Sequence, residues 1–295
     1  QEYPTRPVRI LTAEAGGVND FLARIVAPYF AAGLGQPFVV ENRASIQVGP
    51  IGAVANPDGY TLILAGSTFQ FVPLMEKTEY DALKSFVGVS QLERAPNVLV
   101  VNALLPVNSV RELISLARSK PGSLNYGSGS AGGSLHLGGE MFKMITGIDI
   151  LRVPYKSTGP ALIGLLTNEV QLVFSTPAGA ILHVKAGKLR ALAVTSPEPT
   201  PLLPGLPTMI ASGVPGFELE TISFILAPAK TPALIVRRLN QEVVRAMSQP
   251  DVKAKLISSG AEATASTPEE LTAKLAAADA RARKLFAAIG LAKAK

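Results

Sequence analysis

Two glycine-rich segments hold the residues best suited to chemistry. One is Ala13-Glu14-Ala15-Gly16-Gly17-Val18-Asn19, and the other is Gly127-Ser128-Gly129-Ser130-Ala131-Gly132-Gly133-Ser134. Each follows an apolar run of strand type and leads into apolar residues at helical spacing. Loop amides and a helix N-terminus in that arrangement face outward with partial positive charge and favour an anion. The first segment has only two glycines, so it is not a dinucleotide fingerprint. The second lacks the Lys-Ser/Thr of a phosphate-binding loop. The pair suits a small anion, a carboxylate, better than a nucleotide. The plainer alternative is a pair of tight strand-to-helix turns. Ser157-Thr158-Gly159 opens a further helix and is a third candidate.

Catalytic sets are weaker. Ser128-Gly129-Ser130-Ala131-Gly132 has Ser where the first Gly of a nucleophile elbow belongs. Ser130, Asp149 and His183 follow hydrolase order, but the interval from Ser130 to Asp149 is too short for the strand–helix units that normally intervene. A hydrolase using Ser130 is the enzyme alternative. His136 and His183 are the only histidines, and both read as structural hydrogen-bonders on helices. Without an HExxH or a His/Asp cluster, neither a metal nor a cofactor is expected. Anion-friendly loops without an acid–base set read as a binding protein rather than an enzyme.

Such loops need strands ahead of them and helices behind. Apolar runs predict strands at 8–12, 38–40, 61–65, 86–92, 98–101, 124–126, 150–153, 170–174, 189–194 and 223–226. Helical spacing predicts helices at 19–34, with a kink at Pro28, and at 108–120, 134–146, 157–168 and 178–186. Further helices are predicted at 231–247, 250–257 and 267–289. The last is opened by Thr267-Pro268-Glu269-Glu270, an N-cap, a first-turn proline and an acidic start. A proline-rich loop covers 197–216. This alternation implies an α/β fold with mainly parallel sheets.

Composition narrows the classes. The 295 residues are 47% apolar and 17% charged, enough for about two domains and a real core. No apolar run reaches the ~20 residues of a membrane-spanning helix. The absence of Cys excludes disulfides, thiolate nucleophiles and Cys-ligated metals. The net charge of +6 lies entirely in 230–295, where twelve Lys and Arg face six Asp and Glu. Those charges are mixed in sign and accompanied by one aromatic, Phe286, so nucleic acid is not an expected partner. The start shows no basic segment followed by an apolar one. A numbering that begins at Gln leads to the expectation that a signal has been removed.

An ordered set of short motifs resembles the Bug-type, TctC-like extracytoplasmic receptors of tripartite tricarboxylate transporters. It comprises Tyr3-Pro4-Thr5-Arg6-Pro7-Val8-Arg9-Ile10, Gly16-Gly17 with Asp20 and Ala23-Arg24, Val40-Glu41-Asn42-Arg43 and Pro57-Asp58-Gly59-Tyr60-Thr61-Leu62. It continues with Tyr126-Gly127-Ser128, Ser134-Leu135-His136-Leu137, Val153-Pro154-Tyr155-Lys156, 187–196 and Pro215-Gly216-Phe217-Glu218. The resemblance implies a type II periplasmic binding fold, with two lobes around a central cleft and two hinge crossings. Residues 1–100 and 227–295 would form lobe one and 101–226 lobe two. It implies a monomeric periplasmic receptor that captures a small carboxylate and delivers it to a membrane permease. A ligand-dependent sensing role, with docking on a sensor kinase, is the alternative. The implied ligand residues are Ala13, Glu14, Ala15, Gly16, Gly17 and Asn19 with Ser67 and Thr68 in lobe one. In lobe two they are Ser128, Gly129, Ser130, Ala131 and Gly132, then Ser157, Thr158 and Gly159, and Ser175 and Thr176. The chain departs from the family pattern at Thr12-Ala13, where Pro-Phe is usual, and at Glu14. It also departs in the short segment 44–52, and near 221–224, where a Trp is missing.

Overall fold

The computed structural model describes residues 3–129 and 132–293. In chain order the first half comprises β1 (Val8–Thr12), α1 (Val18–Leu34), β2 (Phe38–Asn42), α2 (Ser45–Ala53), β3 (Thr61–Gly66), α3 (Ser67–Met75), β4 (Phe86–Pro96), β5 (Val98–Asn102), α4 (Val110–Ser119), β6 (Asn125–Ser128) and α5 (Ser134–Thr146). The remainder comprises β7 (Leu151–Pro154), α6 (Thr158–Leu166), β8 (Leu172–Ser175), α7 (Pro177–Lys185), β9 (Leu189–Val194), β10 (Glu220–Pro228), α8 (Ala233–Ser248), α9 (Pro250–Ser258), β11 (Glu262–Ala263) and α10 (Pro268–Ala288).

The chain divides into two compact units. One holds the chain up to Arg94, Ile222–Ser258 and the part from Glu262 onward; the other holds Ala95–Thr221 and Ser259–Ala261. The sequence expectation places both crossings further along the chain. In the structure Val98 already pairs with β8 and β9 of the second sheet, and Ser223 already pairs with Gly66 of the first.

The first unit is built on a six-stranded sheet ordered β11-β4-β10-β3-β1-β2. Its inner strands β1 and β3 are buried on both faces, whereas the edge strand β2 exposes Val39. On one side Leu22, Val26 and Phe30, at helical spacing on α1, pack with Val236, Leu239 and Val243 of α8. On the other, Val48, Phe86, Leu271 and Leu275 cover Leu11 and Ile63. Gly35 ends α1 in the left-handed region, its N–H bonded to the Ala31 carbonyl at 3.0 Å. Pro28 lies inside α1 without interrupting it. Thr267 and Glu270 form the reciprocal capping pair of α10, at 3.1 and 2.8 Å.

The second unit has a five-stranded sheet ordered β7-β6-β8-β5-β9. One face packs under α6 and α7 through Leu162, Leu165 and Ala180. On the other, Phe142, Phe174 and Phe217 form a ring cluster, with Phe174 and Phe217 stacked at 5.6 Å. Glycines let α5 lie close to the strands. A Cβ on Gly138 would stand 2.6 Å from the Phe174 ring. Gly138→Val should therefore lower stability by about 1–3 kcal/mol through overpacking. Thermal unfolding would measure this, and an unchanged midpoint would show that α5 can lift off freely.

The sheets are mixed, which corrects the expectation of mainly parallel ones. β1 runs parallel to β2 and β3, and β6 parallel to β7 and β8, as strand–helix–strand units require. β10 is antiparallel to β3, and β5 is antiparallel to β8 and β9. These two strands enter their sheets straight from the other unit, with no crossover helix to align them.

Candidate ligand site

In the first unit β1 and β3 are parallel neighbours, so the segments leaving their C-terminal ends share one end of the sheet. Those segments are 13–17, which leads into α1, and Ser67-Thr68, the first turn of α3. Gly16 has φ +85°, a conformation that favours glycine. Three side chains hold the loop. The Asp20 carboxylate accepts from Gly16 N–H at 2.9 Å, from Arg24 Nε at 3.0 Å and from Asn42 Nδ2 at 3.0 Å. Asn42 Nδ2 also donates to the Ala13 carbonyl at 2.7 Å. The Arg24 guanidinium, then the Gly16 amide and Asn42, hold the buried Asp20 carboxyl down to about 2.

Glu14 points elsewhere. Its exposed carboxylate accepts from Ser45 N–H at 2.7 Å and Ser45 Oγ at 2.5 Å, at the start of α2. The Ser45 hydroxyl bond, more than any other cause, holds the Glu14 carboxyl below its usual range. Glu14 thus caps α2, whose N-cap residue, Ala44, has no side chain able to do so. Asn19 reaches toward β10, where Ser223 Oγ lies 3.2 Å from its Oδ1. Ser67 Oγ accepts from Ile222 N–H at 3.1 Å.

In the second unit β6, β7 and β8 run parallel side by side. Their C-terminal ends therefore gather Ser128-Gly129, Ser157-Thr158-Gly159 and Ser175-Thr176 at one edge. Ser130 and Ala131 lie outside the described residues. The Ser128 side chain is fully buried; Arg152 Nε donates to its Oγ at 2.8 Å, and Arg152 Nη2 donates to the Gly129 carbonyl at 3.4 Å. Gly132, at φ +79°, donates its N–H to His136 Nδ1 at 3.0 Å. Burial, then the nearby Arg152 charge, lowers the His136 pKa, so the ring stays neutral and Nδ1 stays an acceptor. The Gly132 amide is therefore already occupied. Ser175 Oγ donates to the Thr176 carbonyl at 3.1 Å, and Thr176 Oγ1 caps α7 by accepting from Gly179 N–H at 3.3 Å.

The helices that begin at these loops differ in their caps: Thr176 caps α7, whereas α3 has no side-chain capping bond, a state shared by α8 away from the loops. α1, α5 and α6 start at Gly17, Gly133 and Ser157 without a side-chain capping bond. α4 and α10, away from the loops, are capped by Ser109 and Thr267. Uncapped first turns keep amide donors available to a ligand. Of the hydrolase set, Ser130 lies outside the described residues, and the Asp149 carbonyl accepts from Gly122 N–H at 3.0 Å, ahead of β6.

The model for "Tripartite tricarboxylate transporter family receptor" matches residues 22–291. The chain belongs to this receptor family. The receptor is 33% identical over 276 residues to Protein BugT of Bordetella pertussis, covering 91% of this chain and 84% of that protein. An R. palustris protein, Rpa4515, solved with adipate, is 35% identical and superposes with a TM-score of 0.71, covering 98% of this chain and 99% of that one. A TctC solute binding protein from Polaromonas, solved with no ligand, shares the fold at TM-score 0.89 and 23% identity, covering 96% and 99%. The receptor is thus a solute-binding protein with the α/β fold of the periplasmic binding proteins. Its family's members are extracytoplasmic binding proteins that serve tripartite transporters. Among the receptor's described residues, no helix is long and apolar enough to cross a membrane.

Sequence reasoning missed the side chains that hold the loops. Asp20 and Asn42 lie within quoted family motifs, and an acid in the first turn of α1 was a readable signal. Arg152 had none: it precedes Val153-Pro154-Tyr155-Lys156 and reaches the receptor's Ser128 only through the pairing of β6 with β7.

Proposed function

We propose that this receptor captures a small organic dicarboxylate and delivers it as a monomer to a membrane permease without chemical turnover. The observation that carries the reading is the uncapped starts of α1, α5 and α6 at parallel strand ends, with Gly16 held in front of α1 and Gly132 in front of α5. A carboxylate accepts from such amides without a cationic side chain. The likeness to an adipate-bound relative supports the acid class. The first 229 residues are formally neutral, so capture rests on local amides and dipoles rather than on net charge.

Titration calorimetry against mono- and dicarboxylates of four to eight carbons tests this. Adipate or a near homologue should bind one-to-one, and hexanoate should bind at least tenfold more weakly. No heat with any acid would overturn the carboxylate reading. Equal affinity for hexanoate and adipate would show that the receptor does not read a second carboxylate.

A further inference from the structure

Asn19 belongs to the proposed ligand loop, yet its side chain is held from outside that loop. Ser223 Oγ on β10 lies 3.2 Å from Asn19 Oδ1 and 2.8 Å from Glu93 Oε1 on β4. Glu93 and Ser223 are each 2% exposed. Gly66 leaves room for the contact: a Cβ there would stand 3.5 Å from Asn19 Oδ1 and 3.3 Å from the Ile222 carbonyl.

A serine hydroxyl has one proton, and here it faces two acceptor oxygens. Both contacts are satisfied only when Glu93 brings a proton of its own. Glu93 then donates to Ser223, Ser223 donates to Asn19 Oδ1, and the Asn19 NH2 is turned away toward the loop. When Glu93 is ionised, the Ser223 proton goes to the carboxylate. Asn19 Oδ1 then meets a lone pair, so its amide turns over and donates Nδ2 to Ser223. The carbonyl now stands where the NH2 stood, and a carboxylate ligand is repelled by it.

We propose that Glu93, acting through Ser223, is a positioning residue for Asn19 and sets which end of its amide the ligand loop offers. The proposal rests on reading 13–19 as that loop. Its surroundings favour the neutral acid. Burial pushes the Glu93 carboxyl up, opposed only by the Ser223 bond. The neighbouring charges are engaged elsewhere. Arg94 on β4 pairs with Glu262 of β11 at 3.0 Å, Arg24 on α1 pairs with Asp20 at 2.9 Å, and Lys274 on α10 donates to Gln91 at 3.1 Å. Glu220, near the start of β10, is itself acidic.

The test uses adipate as probe over a pH series, with carbon-13 NMR of the glutamate carboxyls and nitrogen-15 NMR of the Asn19 side-chain amide. Wild-type affinity should weaken by up to about tenfold per pH unit above the Glu93 midpoint, with one proton taken up on binding. Glu93→Gln, whose amide donates to Ser223 at every pH, should keep the low-pH affinity throughout. Ser223→Ala should remove the slope while Glu93 still titrates. Without ligand, the Asn19 amide should follow the Glu93 midpoint in wild type and ignore it in Ser223→Ala. The proposal is overturned if Asn19 does not follow Glu93, or if Glu93→Gln shares the wild-type profile. Co-titration with no heat from adipate or any other acid of the series would support the positioning link and overturn the ligand-loop reading.

Discussion

Asp20→Ala should cost the receptor about 3 kcal/mol of stability and weaken adipate binding at least tenfold. The carboxylate is a shared acceptor for Gly16 N–H, Arg24 and Asn42 Nδ2, and hydrogen bonds to an ionised group are worth more than neutral ones. Alanine leaves the Gly16 amide and the Asn42 side chain without that acceptor and frees Asn42 from its post under Ala13. The loop ahead of α1 then loses the geometry on which its amides depend. A thermal midpoint lower by roughly 5–10 °C is the stability readout. The pH dependence has a definite sign. The folded carboxyl sits at about 2 against an ordinary 3.8, so its contribution is complete above about pH 4 and fades as pH falls toward 2. Asp20→Ala should lack that step. A variant that binds adipate as wild type does, with an unchanged midpoint, would show that the loop holds its shape without Asp20.

Legibility in the sequence followed the range of the interaction. The first helix and the last declared themselves because an apolar stripe, a left-handed glycine stop and a capping pair are all local. The start of α2 was hidden for the opposite reason. Its residues include Gly49, Pro50 and Gly52, a poor helical pattern, and what makes it helical comes from elsewhere in the chain. Gly49 packs against Tyr80, Gly52 packs against Ile63, and the Glu14 carboxylate caps the first turn. Glu14 shows the same limit at the site: the sequence marks it only as a departure from the family pattern, and the fold turns it to Ser45. Strand direction was misjudged because β5 and β10 owe their antiparallel sense to the passage between units, which leaves no mark in apolar spacing. The positions of both glycine loops were readable. The partners that hold them, Asn42 for Asp20 and Arg152 for Ser128, lie a strand away in sequence and meet only through pairing.

The second loop should respond to acid through His136, with Arg152 setting the range. The folded ring is neutral because Gly132 N–H needs Nδ1 as acceptor, and because burial and the Arg152 guanidinium both oppose a second cation. The unfolded chain, with an ordinary histidine at 6.5, takes up a proton first as pH falls. Stability is therefore full above that value, is lost as pH drops below it, and levels off once the folded ring also protonates. At that point the Gly132 bond breaks and the amide, no longer held, cannot keep the turn at φ +79° in place. His136→Asn supplies an acceptor oxygen near the Nδ1 position without a titrating group, so it should remove the acid step while retaining adipate binding near neutrality. Arg152→Met should act in two ways at once. It strips the donor from the buried Ser128 oxygen and from Gly129, a loss of about 2 kcal/mol. It also removes a repelling charge from His136, so the folded ring protonates at higher pH and the acid step becomes shallower. A loss of stability with no change in that step would mean that burial alone holds His136 neutral. Unfolding free energies against pH for wild type, His136→Asn, Arg152→Met and the double variant decide it: the change made by Arg152→Met in the acid step must vanish when His136 is already Asn.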